Sequence, residues 1–141
     1  MNPLIFIIDT AHPTARIILA DDTNVFGKRE WENTPKVGTT LLVNIEELLQ
    51  EAGKQKMDIT RVAVHAGPGS YGLVRTGIVT ATVLGQAVGA EIVAVSGDTE
   101  EEVVASARTA EKVDAVEPKY RNVDSGSPLR SRASRGAASP E

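Results

Sequence analysis

The 141-residue sequence predicts an α/β domain built on a mixed sheet. Three observations predict it. A continuous apolar run, Leu4–Asp9, closes on an acid; three strand patterns then succeed one another through short polar turns; and two more strand patterns each follow a helical stripe. The expected order is β-β-β-α-β-α-β-α, a five-stranded sheet with an antiparallel meander and about three helices.

Leu4–Asp9 (LIFIID) has no polar alternation, so it reads as a strand buried on both faces. Ala15–Ala20 is the second strand, and Asp21-Asp22-Thr23-Asn24 is a turn that closes a hairpin. Val25–Trp31 is the third strand, with Val25, Gly27, Arg29 and Trp31 on one face. Thr34-Pro35 ends the meander. Leu41, Leu42, Ile45, Leu48 and Leu49 recur at spacings of three and four, a helical stripe that Gly53 closes as a C-cap. Val62–Val64 returns to the sheet, parallel to a neighbour because a helix intervenes. Leu73–Val88 is helical, Glu91–Val95 is a fifth strand, and Asp98 is the expected N-cap of a last helix reaching about Ala110. Glu100, Glu101 and Glu102 suit that helix's first turn.

Length and composition allow one domain. Residues 1–117 form the expected lobe. Residues 118–141, rich in Ser, Arg, Gly and Pro with few large apolar groups, form an expected disordered basic tail. The charge divides in the same way: residues 1–118 carry 10 basic and 17 acidic side chains, net −7, and residues 119–141 carry 5 and 2, net +3. With no cysteine, disulfides, thiolate metal sites and a cysteine nucleophile are excluded. No apolar run is long enough to span a bilayer, and NPLIFIIDT lacks the basic start of a secretory signal, so a cytoplasmic protein is expected.

Two segments could carry chemistry. Asp9-Thr10 ends the first strand, where an acid either meets a metal–phosphate group or caps its own turn. Gly67-Pro68-Gly69-Ser70 lies between a strand and a helix, where glycines either bring N–H groups to an anion or make a tight turn with Ser70 as N-cap. Neither a P-loop nor GxGxxG is present. Asp9, Thr10, Gly67, Gly69 and Ser70 are the phosphate-facing candidates. His12 and His65 are the only histidines and lack HxxxH or HExxH spacing, so no metal site is expected and His65 reads as a strand end. In the helix beyond the turn, Gly72, Gly77, Ala81, Gly85 and Gly89 lie four or five apart. Interior helix glycines cost roughly 0.5–1 kcal/mol each, so the row implies close approach of another backbone, either from this chain's first helix or from another protein.

RVAVHAGPGSYGLVRTGIVTATVLGQAVGAEIVAVS resembles the TsaB (YeaZ) family through Gly67-Pro68-Gly69-Ser70, Tyr71, Arg75, Gly77 and Val95-Ser96. Ile8-Asp9-Thr10 and Leu48-Leu49-Gln50-Glu51-Ala52-Gly53 are similar too, and the resemblance covers about residues 4–110. It implies a single actin-like (ribonuclease-H-type, ASKHA) lobe in a glycoprotease-like superfamily. The implied role is a non-catalytic scaffold, without a catalytic residue of its own, in tRNA N6-threonylcarbamoyladenosine modification. The implied partners are a catalytic TsaD-like subunit, a TsaE-like ATPase and a second copy in a homodimer, with tRNA reached indirectly and no membrane contact.

The family's interface helices correspond to Leu41–Glu51 and Tyr71–Val88. That gives an implied contact set of Leu41, Leu42, Ile45, Leu49, Tyr71, Arg75, Gly77, Ile78, Ala81, Leu84 and Gly85. The sequence departs from the family at Gly72-Leu73, Thr76 and Val37-Gly38-Thr39. Glu117–Asn122 resembles a motif near the end of longer relatives, as though a second lobe were removed between Ala110 and Glu117. No intrinsic cofactor is then expected, and ATP or ADP would sit only at a shared interface. The alternative reading is a nucleotide-binding hydrolase or peptidase-like enzyme, and a third is a homodimeric relic with another binding role.

Overall fold

The expected order of elements is the observed one. The computed structural model describes residues 3–34 and 36–120. Its strands are β1 (Ile5–Asp9), β2 (Thr14–Ala20), β3 (Val25–Glu32), β4 (Arg61–His65) and β5 (Glu91–Val95). Its helices are α1 (Val37–Glu51), α2 (Tyr71–Val88) and α3 (Glu100–Thr109), and a short 3-10 turn at Lys56–Asp58 precedes β4. The sheet order is β3-β2-β1-β4-β5. β1, β2 and β3 are antiparallel neighbours, whereas β1/β4 and β4/β5 are parallel.

β1 is central, and that placement accounts for its unbroken apolar run. Phe6 and Ile8 face one cluster with Ile17, Leu19, Leu41, Ile45, Leu48 and Leu84 under α1 and α2. Ile5 and Ile7 face the opposite cluster with Ile18, Val93, Val103 and Ala107 under α3. Each such buried side chain contributes about 1.5–3 kcal/mol against exposure, so a polar substitution on either face of β1 is disruptive. β3 is the outer strand and alternates: Gly27, Arg29 and Trp31 lean toward α1, while Lys28, Glu30 and Glu32 are exposed. Arg29 there binds Asn44, Glu47 and Glu51 of α1. Charges along that outer strand also guard its open edge against pairing.

The helix ends follow local chemistry. Gly53, at φ 70°, lets its own N–H reach Gln50 O and the Lys54 N–H reach Leu49 O at the end of α1. Thr99, not the expected Asp98, is the N-cap of α3: its hydroxyl accepts the Glu102 N–H, and Glu102 accepts from the Thr99 N–H in return. Asp98 instead donates its own N–H to the same Glu102 carboxylate.

Lys119 and Tyr120, expected in the tail that begins at Pro118, contact the lobe. Residues 113–120 run as a strap: the Val113 N–H donates to Ile92 O, Val116 is buried, and the Lys119 N–H donates to Ala66 O at 2.6 Å. Tyr120 then bridges to Gly69. The expected disordered tail from Arg121 onward lies outside the described residues.

Candidate functional site

The parallel strands β1, β4 and β5 end on one edge of the sheet, the place where open α/β sheets gather functional groups. The fold brings Asp9 and His65 together with His12. Asp9 is fully buried; its Oδ1 accepts the Ala11 N–H at 3.0 Å and its Oδ2 lies 2.7 Å from His12 Nδ1. Arg16 Nε stands 3.7 Å from the same oxygen, and His12 Nε2 is 3.5 Å from Asp98. The His12 and His65 rings meet edge to face with centroids 4.8 Å apart.

Asp9, His12 and His65 offer ligand atoms within 4.8 Å of one another, a proximity that sequence spacing did not reveal. Their hydrogen bonds show how the trio is used. The Gly67 N–H donates to His65 Nδ1 at 3.1 Å, so the ring proton sits on Nε2, 2.8 Å from Gly97 O. Both nitrogens of His65 are therefore committed to backbone, tying the end of β4 to the β5–α3 loop. A metal ion would have to displace one of these bonds.

Of the five residues read as phosphate-facing, Asp9, Thr10, Gly67 and Gly69 each make close contacts within the protein's own chain. The Thr10 hydroxyl donates to Leu73 O at 2.6 Å rather than pointing outward. A Cβ on Gly67, at φ +100°, would collide with Lys119 O, and one on Gly69 would lie 2.7 Å from Ala11 O. Ser70 is the N-cap residue of α2 by position, though its hydroxyl makes no capping bond. The glycines thus admit the close approach of the strap at Lys119 and of the turn at Ala11.

The small-residue row of α2 has a similar outcome. A Cβ on Gly77 would collide with Thr10 Oγ1, and one on Gly85 would lie 2.8 Å from Ile92 Cγ1. Ala81 is fully buried, and Leu41 and Leu49 face the core as well. These five residues of the implied contact set pack on this chain's own sheet, which removes them from direct contact with another protein. Leu42, Tyr71 and Arg75 are exposed and Ile78 is half-buried. Ile45 and Leu84 are buried yet line the floor of an open apolar groove of about 550 Å³ between α1 and α2. The groove's exposed walls are Leu42, Met57, Val79 and Val83, and Lys56 and Glu46 pair across its rim at 2.7 Å. Met57, Val79 and Val83 were absent from the implied set. The reason lies in periodicity: an apolar residue on a helix's outer side is indistinguishable from a core one without the sheet's position.

Residues 38–115 match the family model described as TsaD: tRNA N6-adenosine threonylcarbamoyltransferase. The chain belongs to that family. The fold of this TsaB-like lobe is similar to YeaZ from Pseudomonas aeruginosa, with a TM-score of 0.62 and 23% identity over 67% of this chain and 44% of that one. It is similar also to an uncharacterized protein with similarity to peptidase YEAZ from Pseudomonas aeruginosa, with a TM-score of 0.60 and 25% identity over 67% and 43%. The chain thus matches less than half the length of either structure. No curated protein matches it. The expected actin-like α/β lobe is the fold found. No helix among the described residues is long and apolar enough to cross a membrane.

Proposed function

We propose that this TsaB-like lobe is a non-catalytic accessory subunit in tRNA N6-threonylcarbamoyladenosine modification, pairing with a TsaD-like catalytic subunit. The observation that carries this reading is the exposed apolar groove between α1 and α2. Val79 and Val83 are 51% and 59% exposed there, Leu42 59% and Met57 68%. Contiguous apolar surface of this kind marks an interaction site more often than a solvent face. The close contacts of Gly67 with Lys119, of Gly69 with Ala11 and of the Thr10 hydroxyl with Leu73 O support the non-catalytic part, because these residues already serve packing within the chain. ATP or ADP then belongs at an interface with the partner or with a TsaE-like ATPase, and a homodimer would use the same groove in the partner's absence.

Mixing this chain with the TsaD-like subunit of the same genome and measuring complex mass by light scattering tests the pairing. A stable complex is expected. Val79→Asp or Val83→Asp should weaken it at least about tenfold, as for a central apolar contact. Pairing undiminished by both variants would sink the groove as the docking face. The enzyme reading draws on one observation, the buried Asp9 that holds His12 Nδ1 while His12 Nε2 faces the exposed Asp98 carboxylate. Magnesium-dependent heat of ATP binding by the chain alone would favour that reading instead.

A further inference from the structure

His12 stands between two carboxylates, one at each ring nitrogen. On one side Asp9 is fully buried, and its Oδ2 lies 2.7 Å from Nδ1. An ionised carboxylate only accepts, so the ring proton sits on Nδ1 and leaves a lone pair on Nε2. On the other side Asp98 Oδ1 lies 3.5 Å from that Nε2, on a side chain that is 96% exposed. Among the described residues the Asp98 carboxylate has no other ionic partner.

Two acceptors thus face each other, and their spacing bears on what fits between them. A direct N–H···O bond spans about 2.7–3.2 Å. Two ligands of one tetrahedral ion, with bonds of about 2.0–2.2 Å, lie roughly 3.4 Å apart. The 3.5 Å separation matches the second arrangement. Both ligands are also held in place. Asp9 at Nδ1 and the edge of the His65 ring, with centroids 4.8 Å apart, fix the imidazole. A carboxylate behind a ligating imidazole sets its tautomer and raises its basicity. Asp98 lies on a loop that His65 Nε2 ties through Gly97 O at 2.8 Å, and Glu102 accepts the N–H groups of Asp98 and Thr99. Of the charges around the His12 ring, Asp9 and Asp98 outweigh Arg16, which stands 3.7 Å from Asp9 Oδ2. That balance favours a cation.

We infer that His12 Nε2 and Asp98 Oδ1 bind a divalent ion of the zinc type, with Asp9 positioning His12 and water completing the coordination. An imidazole paired with a carboxylate suits zinc, whereas magnesium and calcium prefer oxygen ligands throughout. Neither backbone bond of His65 has to break, because the ligating nitrogen belongs to His12. The pair is hidden in the sequence, since 86 positions separate His12 from Asp98. The lining of the docking groove includes neither residue, so the test is independent of pairing with a TsaD-like subunit.

Zinc is titrated into the full, untagged chain, with binding followed by calorimetry and by the nitrogen NMR shifts of the two imidazoles. Zinc should bind saturably and shift His12 Nε2 while leaving the His65 nitrogens in place. Magnesium at the same concentration should shift neither ring. His12→Ala should remove the binding, and Asp98→Ala, a change at an exposed side chain, should weaken it at least about tenfold. Asp9→Asn should weaken it about 10- to 100-fold, the range found when the group that orients a ligating histidine is altered. Circular dichroism melts of each variant verify the fold. Zinc that leaves His12 Nε2 unshifted, or that binds Asp98→Ala as tightly as the unchanged chain, would overturn the inference. Matching shifts of His12 and His65 would move the ion to the Asp9, His12 and His65 trio and overturn it equally.

Discussion

Two glycines of α2, five positions apart, have opposite surroundings. Gly77 lies against Thr10, where a Cβ would strike the hydroxyl that bonds Leu73 O. Gly72 has nothing within 4 Å of the position a Cβ would take. Alanine improves helix propensity at either site by up to about 1 kcal/mol. At Gly77 the collision and the lost Thr10 bond oppose that gain, and overpacking a filled site costs roughly 1–3 kcal/mol. Gly77→Ala should therefore destabilise the lobe while Gly72→Ala leaves it unchanged or slightly steadier, as read from urea midpoints. A stabilised Gly77→Ala would mean the helix stands farther from β1 than described. Spacing made the row visible in the sequence. It could not say that the close neighbour was the chain's own strand, because helical periodicity identifies a face without identifying what covers it.

Among the helices, α3 has its N-cap one residue beyond the Asp98 that the sequence suggested. Asp98 and Thr99 are both good caps, and local preference alone ranks aspartate at least level with threonine. Glu102 decides between them, since it stands three residues after Thr99 and completes the reciprocal pair. Thr99→Ala should cost about 1 kcal/mol in thermal or urea unfolding. The Glu102 carboxyl is held below its ordinary value of 4.5 by the backbone N–H bonds from Asp98 and then Thr99. A lowered folded pKa stabilises above the unfolded value and loses that contribution as pH falls through the folded one. Melting temperatures of the unchanged chain and of Glu102→Gln should accordingly differ near neutrality and converge on strong acidification. A gap that persists in acid would show that the difference is not one of charge. Asp21 follows the same rule, its carboxyl lowered by the Thr23 and Asn24 N–H groups that close the β2–β3 turn.

At the scale of the whole molecule, the strap of residues 113–120 joins the edge of β5 to the GPGS turn. Gly67 is the position on which that junction depends, with a left-handed φ and Lys119 O occupying the space of a side chain. Gly67→Ala should release the strap, and trypsin should then cut after Lys119 faster at unchanged far-ultraviolet dichroism. Equal cleavage rates in the two proteins would contradict this. The released strap would also uncover Val116 and the GPGS backbone, linking this one residue to both core burial and access at the strand ends.

Element order, the antiparallel meander and the two parallel strands that follow helices were all determined by the sequence itself. Each rests on a local signal: a run such as Leu4–Asp9, a turn such as Asp21–Asn24, or a stripe such as Leu41–Leu49. Only the tertiary structure decided that Asp9, His12, His65 and Asp98 share one strand-end network, and that Gly77 and Gly85 face inward while Val79 and Val83 face outward. It also decided that Tyr120 returns to Tyr71. Those are contacts between residues far apart along the chain, such as Thr10 with Leu73. They form only when the sheet has assembled and turned each helix to its place.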